Sequence, residues 1–129
     1  DYVGSGNETA AHILQIPRLT IMFCAFEGPP RIMRLSGIGA THQKGTETYQ
    51  SLLADYYDNT APRNARQIVT LNVDMVQTSC GYGVPLFEHQ GERPNLTRWA
   101  DAKSDEDLIE YRKQKNSQSV DGFDTGLKL

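Results

Sequence analysis

Ser79-Cys80-Gly81-Tyr82-Gly83-Val84-Pro85 closes the longest patterned stretch of this chain. Ahead of it, residues 67–76 carry Val69, Leu71, Val73 and Met75 alternating with Thr70, Asn72 and Asp74. A period of two predicts a strand with one buried face. The strand then meets two glycines that flank Tyr82, and Pro85 follows. Glycine reaches backbone conformations that a β-carbon forbids, and proline removes a ladder donor. The stretch therefore reads as a buried strand delivering a shaped loop. It also fits a plain strand exit.

Working outward, residues 18–27 are nearly all apolar: Leu19, Ile21, Met22, Phe23, Cys24, Ala25 and Phe26. That composition predicts a central strand covered on both faces. Gly28-Pro29-Pro30 is a turn, and residues 31–42 return as the second strand of a hairpin. Arg34 interrupts the apolar run of this strand, and Gly37 and Gly39 mark a bulge or a barrel corner. Residues 45–58 form the clearest helix. Tyr49, Leu52, Leu53, Tyr56 and Tyr57 repeat at the spacing of a buried face, with Gly45 or Thr46 as cap. The tyrosines are expected to face the core at its rim.

At the start, Asp1-Tyr2-Val3 reads as a strand end and Gly4-Ser5-Gly6-Asn7 as a turn. Ser5 with Glu8 matches a capping box. A short helix over residues 7–15 follows, with Ala10, Ala11, Ile13 and Leu14 as its apolar side and Pro17 beyond its end. A glycine turn feeding a helix start aims free amides at one spot, where the helix dipole favours an anion. The spacing is that of neither a P-loop nor a dinucleotide fingerprint. Toward the end, Pro94 starts a helix with Leu96, Trp99 and Ala100 on its apolar edge. Asp105, Glu106 and Asp107 open another, running to about residue 116. Leu108, Ile109 and Tyr111 face partly inward, and Lys113 and Lys115 suit its end. Residues 94–129 are thus C-terminal helices followed by an extended tail.

The 129 residues suit one domain, with 38% hydrophobic and 22% charged residues. A net charge of −3 with scattered basic residues argues against a nucleic-acid surface. No apolar run is long enough to cross a bilayer, and no leader pattern is visible, so a cytoplasmic setting is expected. Two cysteines are too few for a disulfide framework, and Cys24 should be a buried thiol. His12, His42 and His89 show no metal-ligand spacing, so no metal site is expected. Ser79-Cys80 lacks a base placed by sequence, and no catalytic residue is assigned. Tyr82 is the better candidate to lie against a ring. Three strands, or four with residues 1–3, leave exposed sheet edges. The chain also opens at Asp1 without methionine. Further N-terminal strands, a partner subunit, or both are expected.

Phe23-Cys24-Ala25-Phe26-Glu27-Gly28-Pro29-Pro30-Arg31-Ile32 resembles the central hairpin of the pyridoxamine 5'-phosphate oxidase-like proteins, the split barrels that bind flavin mononucleotide (FMN). More narrowly, the chain is similar to a bacterial branch of that family. The shared segments are Gly4-Ser5-Gly6-Asn7-Glu8-Thr9, Glu27-Gly28-Pro29-Pro30-Arg31, Ser79-Cys80-Gly81-Tyr82-Gly83-Val84-Pro85 and Lys115-Asn116-Ser117-Gln118-Ser119-Val120-Asp121-Gly122. The ending Phe123-Asp124-Thr125-Gly126 departs from a shorter Leu-Pro-Gly-like one.

The resemblance implies a mainly β, α+β split barrel with peripheral helices, incomplete here at its N-terminus. It implies a homodimer with FMN at the interface and a small-molecule substrate, with neither nucleic acid nor membrane as partner. Part of the cofactor site, a Ser-Pro-Lys-Gly-like stretch, would precede Asp1. In the oxidase, the positions of Asn7-Glu8-Thr9 carry serine, arginine and lysine on the FMN phosphate. Here Glu8 would repel that phosphate unless it caps its own helix. A flavin-contacting glutamine falls at about Ile32. The resemblance therefore points to an FMN-dependent oxidoreductase of unknown substrate rather than to pyridoxamine phosphate oxidation. Gly4, Ser5, Gly6, Asn7 and Thr9 are its candidate cofactor residues, with Arg31 or Arg34 supplying charge and Tyr82 lining the pocket. A deazaflavin or haem in the same fold is the alternative, as is a non-catalytic dimeric flavin-binding module.

Overall fold

Gly28 takes a φ of +68°, and with Pro29 and Pro30 it reverses the chain between two antiparallel strands. The computed structural model describes residues 1–128. Its hairpin is β1 (Arg18–Cys24) and β2 (Arg31–Gln43), in register from Arg18 opposite Ile38 to Cys24 opposite Ile32. A third strand, β3 (Gln67–Cys80), completes an antiparallel sheet of order β1-β2-β3. Four helices accompany it: α1 (Glu8–Gln15), α2 (Glu47–Tyr57), α3 (Asn95–Asp101) and α4 (Asp105–Asn116). The architecture is α+β. None of these helices is long and apolar enough to cross a membrane.

The chain divides into two compact units, and β2 and β3 contribute to both. The first holds residues 1–17, 40–70 and those from 93 on. Its core is Val3, Ala10, Ala11, Ile13, Tyr49, Leu53, Ala65, Ala100 and Leu108. Thr46 caps α2 by accepting the Tyr49 amide at 3.3 Å, and Asp58 ends it in the left-handed conformation. The buried stripe of α2 is narrower than its sequence period suggests. Tyr49 and Leu53, one turn apart, are buried, but Tyr56 is 74% and Tyr57 54% exposed. Leu14 of α1 is likewise exposed, so only Ala10, Ala11 and Ile13 form that helix's inner side.

Ser104 and Asp107 make a reciprocal capping box at α4, and Lys113 and Lys115 occupy its last turn. Trp99 meets Tyr111 edge-on, with ring centroids 4.8 Å apart, which joins α3 to α4. Residues 1–3 do not form a strand; Tyr2 makes a single bridge to Ala65. The tail is not extended either. Gly122, at φ +81°, turns it so that Gln118 bridges Asp124 and Thr125 becomes buried. Gln43 holds the tail by donating to the Gly126 carbonyl and accepting the Lys128 amide at 2.5 Å.

The second unit holds residues 18–39 and 71–92. β1 is an edge strand here, not a central one, and Ile21, Met22 and Phe23 are exposed. From Asn72 onward β3 is exposed as well, including Val73 and Met75 on its apolar side. Alternation puts those side chains on one face, but burial needs a second layer on that face. Cys24 is only half-buried for the same reason. Arg18 and Asp74 reach across β2 to form an ion pair, with Arg18 Nη2 2.9 Å from Asp74 Oδ1. At Gly37 the backbones of β2 and β3 press so closely that a Cβ would fall on the Asn72 carbonyl.

Candidate functional site

The turn before α1 is built from inside. Val3 is buried, and its amide donates to the Asn64 carbonyl at 2.9 Å. Asn116 Nδ2, at the end of α4, donates to the Gly4 carbonyl at 2.8 Å and to that of Gly6 at 3.4 Å. Arg66 Nη1 donates to the Gly6 carbonyl at 2.8 Å. Asn7 is buried: its Oδ1 accepts from Gln67 Nε2 at 2.9 Å, and its Nδ2 donates to the Asn116 carbonyl at 3.5 Å. Arg66 is paired with Asp1 at 2.7 Å, and Gln67 Nε2 donates to the same carboxylate oxygen at 2.6 Å. Burial pushes the Arg66 guanidinium below its ordinary range, so these partners are what keep the charge tolerable inside.

This network explains what happens at the helix start. The Asn7 side chain is engaged inward and makes no cap. The first-turn amides of an α-helix have no intrahelical partner. At α1 they have no side-chain cap either. The capping box expected from Ser5 and Glu8 does not form. The Glu8 carboxylate accepts the Val120 amide instead, at 3.0 and 3.2 Å. The folded-back tail thus outcompetes the helix for that carboxylate. Ser5 and Thr9 are exposed beside it. Changing Glu8→Ala should leave the helical circular dichroism signal unchanged and speed proteolytic cleavage in residues 117–126. A fall in helix content with no change in cleavage would restore the capping role.

The other candidate residues lie in the second unit. Arg34 Nη1 donates to Ser79 Oγ at 3.4 Å, across from β2 to the end of β3. Arg31 is exposed. Gly81 lies on the Arg31 backbone, where a Cβ would come within 2.6 Å of the Arg31 nitrogen. The Val84 amide donates to the Gly81 carbonyl at 2.9 Å and closes the loop into a turn, leaving Tyr82 84% exposed. Phe87 returns to the hairpin through its amide on the Phe26 carbonyl at 3.1 Å, and the two rings meet edge-on at 5.4 Å. The loop is therefore shaped rather than a plain exit. Gly4, Ser5, Gly6, Asn7 and Thr9 belong to the first unit, and Arg31, Arg34 and Tyr82 to the second.

Arg66, Gln67 and Asn116 escape sequence reasoning. A polar pair at a strand entry reads as the end of a loop, and an asparagine after two lysines reads as the end of a helix. Nothing in local pattern ties residue 116 to residue 4. Of the histidines, His42 shares a hydrogen bond with Thr70 Oγ1 at 2.9 Å, and His12 lies 3.7 Å from Asp121.

The chain also has a known relative. The pyridoxamine 5'-phosphate oxidase family protein ustO of Aspergillus flavus is 35% identical to it over 139 aligned residues, which take in 95% of this chain. The chain belongs to the pyridoxamine 5'-phosphate oxidase-like family. It spans about half, 54%, of that relative's length. No family model matches the chain, and no solved structure matches it. Proteins of the pyridoxamine 5'-phosphate oxidase-like family usually bind a flavin.

Proposed function

We propose that this chain is part of an FMN-binding split barrel that acts as an oxidoreductase on a small substrate, with the phosphate seated at the start of α1. The observation that carries this reading is the inward turn of Asn7. It leaves the first-turn amides of α1 without a side-chain cap, next to the exposed hydroxyls of Ser5 and Thr9. Such amides, with the positive end of the helix dipole, favour a phosphate. The Val120 amide holds the Glu8 carboxylate but leaves its charge, so the seat binds the phosphate against that one anion. A bound flavin supplies hydride or electron transfer. The protein's part is to hold and orient. Arg66 and Asn116 fix the carbonyls of Gly4 and Gly6, so the turn is set before any ligand arrives.

The uncovered apolar side chains of the second unit, among them Ile21, Met22, Phe23, Val73 and Met75, support a second copy of the chain as the layer that covers them. A cytoplasmic homodimer is the assembly this reading requires.

Titrating the purified protein with FMN and recording absorption tests it. A bound-flavin spectrum is expected. The double variant Ser5→Ala, Thr9→Val should bind FMN about tenfold or more weakly, since it loses hydrogen bonds to a charged group. A protein that ignores FMN would overturn the reading, and parallel titrations with a deazaflavin and haem would identify the replacement.

A further inference from the structure

A second basic cluster lies in the first unit, lined by none of the residues of the turn. Lys44, Arg63, Asp105, Leu108, Ile109 and Arg112 line a cavity of about 410 Å³. It is assembled from three parts of the chain. The Lys44 amide donates to the Arg66 carbonyl at 3.0 Å, which ties the exit of β2 to the entry of β3. Arg63 is fixed by its guanidinium, whose Nη2 and Nε reach Asp105 Oδ1 at 2.8 and 3.2 Å. Its Nη1 donates to the carbonyls of Ala100 and Asp101 at the end of α3, both at 3.3 Å. Arg112 comes from α4, and its Nε is buried without a hydrogen-bond partner among the described residues.

The charges do not balance. Three cations line the cavity and one carboxylate answers them. Asp105 is already committed to Arg63, which holds its carboxyl below the usual range. Burial, then the nearby Arg112, lowers the Lys44 ammonium. Burial, then Arg66, lowers the Arg112 guanidinium. Like charges gathered with an orphaned donor are unfavourable by themselves and favourable around an anion. The cavity also has an apolar side, from Leu108 and Ile109.

We propose that this cavity binds a small phosphate monoester, with Lys44 and Arg112 on the phosphate and Leu108 and Ile109 against its apolar body. Arg63 is the positioning residue that draws Asp105 to itself, so that the carboxylate offsets Lys44 and Arg112 only in part. The site is separate from the flavin seat proposed above and does not depend on it.

The test uses the full chain, ¹⁵N-labelled, at constant ionic strength. The probes are inorganic phosphate and phenyl phosphate, and the readout is the Arg112 Nε–H resonance, assigned by its loss in Arg112→Lys. Saturable movement of that resonance with both probes, and tighter binding of phenyl phosphate, is expected. Lys44→Gln should weaken binding about tenfold or more through loss of a charged hydrogen bond. A resonance that stays still, or moves equally with chloride, overturns the site. Unchanged affinity in Lys44→Gln removes Lys44 from it. Equal affinity for the two probes overturns the apolar half, leaving inorganic phosphate as the ligand.

Discussion

Changing Asn116→Asp should destabilise the protein by about 3 kcal/mol or more at neutral pH, the cost of a buried charge whose neighbouring cation, Arg66, is already held by Asp1 and the Gly6 carbonyl. Asn116 is fully buried, and its Nδ2 is the donor that holds the Gly4 carbonyl. Aspartate keeps the shape but sets carboxylate oxygens against the carbonyls of Gly4 and Gly6. It also stands beside a backbone carbonyl that already accepts from Thr125 Oγ1 at 2.6 Å. The sign with pH follows. Burial raises the folded pKa of the new carboxyl above its unfolded value of about 3.9. The deficit is therefore absent below that value, grows as pH rises through it, and is complete above the folded pKa. Urea unfolding of variant and parent at pH 4 and pH 7 checks this. A deficit of equal size at both values would mean that packing, not charge, governs the position. Asn116→Ala, which removes the donor and leaves a cavity but adds no charge, should cost about 2 kcal/mol or more with no such pH dependence.

The second large effect is expected at Gly37. An alanine there places its Cβ on the Asn72 carbonyl, so β2 and β3 must separate. Overpacking of this kind costs about 1–3 kcal/mol, and the upper end is expected because the obstacle is backbone rather than a side chain that can swing away. Gly83→Ala is the matched control. It lies in the 79–85 loop, takes no left-handed φ, and has open space where the Cβ would go. It should change stability by less than about 0.5 kcal/mol, as an unburdened surface position does. Similar midpoints for the two variants in urea would show that the close approach at Gly37 relaxes freely.

The sequence is legible wherever the determinant is local. The hairpin follows from Gly28-Pro29-Pro30, α4 from its acidic start and lysine end, and β3 from its alternation. The glycines of β2 point to a bulge or a barrel corner, and what the structure shows at Gly37 is a close approach of the β2 and β3 backbones. What covers an element is not local. The apolar run of β1 reads as a central strand because composition records what a side chain prefers, not which layer reaches it. Tyr56 and Tyr57 fall at helical spacing yet stay outside, because the stripe α2 buries is one residue wide per turn. The candidate site divides the same way. The glycine turn and the helix it starts are visible in residues 4–15. Its inner scaffold is not, because Arg66, Gln67 and Asn116 act through single hydrogen bonds that leave no period. Glu8 shows the limit most plainly. Its spacing from Ser5 is right for a cap, but the Val120 amide, 112 residues away, takes the carboxylate.

That separation sets an order of events during synthesis. Gly4 emerges early, but the donor that fixes its carbonyl is 112 residues later in the chain. Contacts so distant form late, because a long loop must close before they contribute. On the ribosome, α1 and the Gly6 side of the turn can form first, while the Gly4 carbonyl stays unheld until α4 is out. A held Gly4 carbonyl therefore reports that the chain has been translated past residue 116.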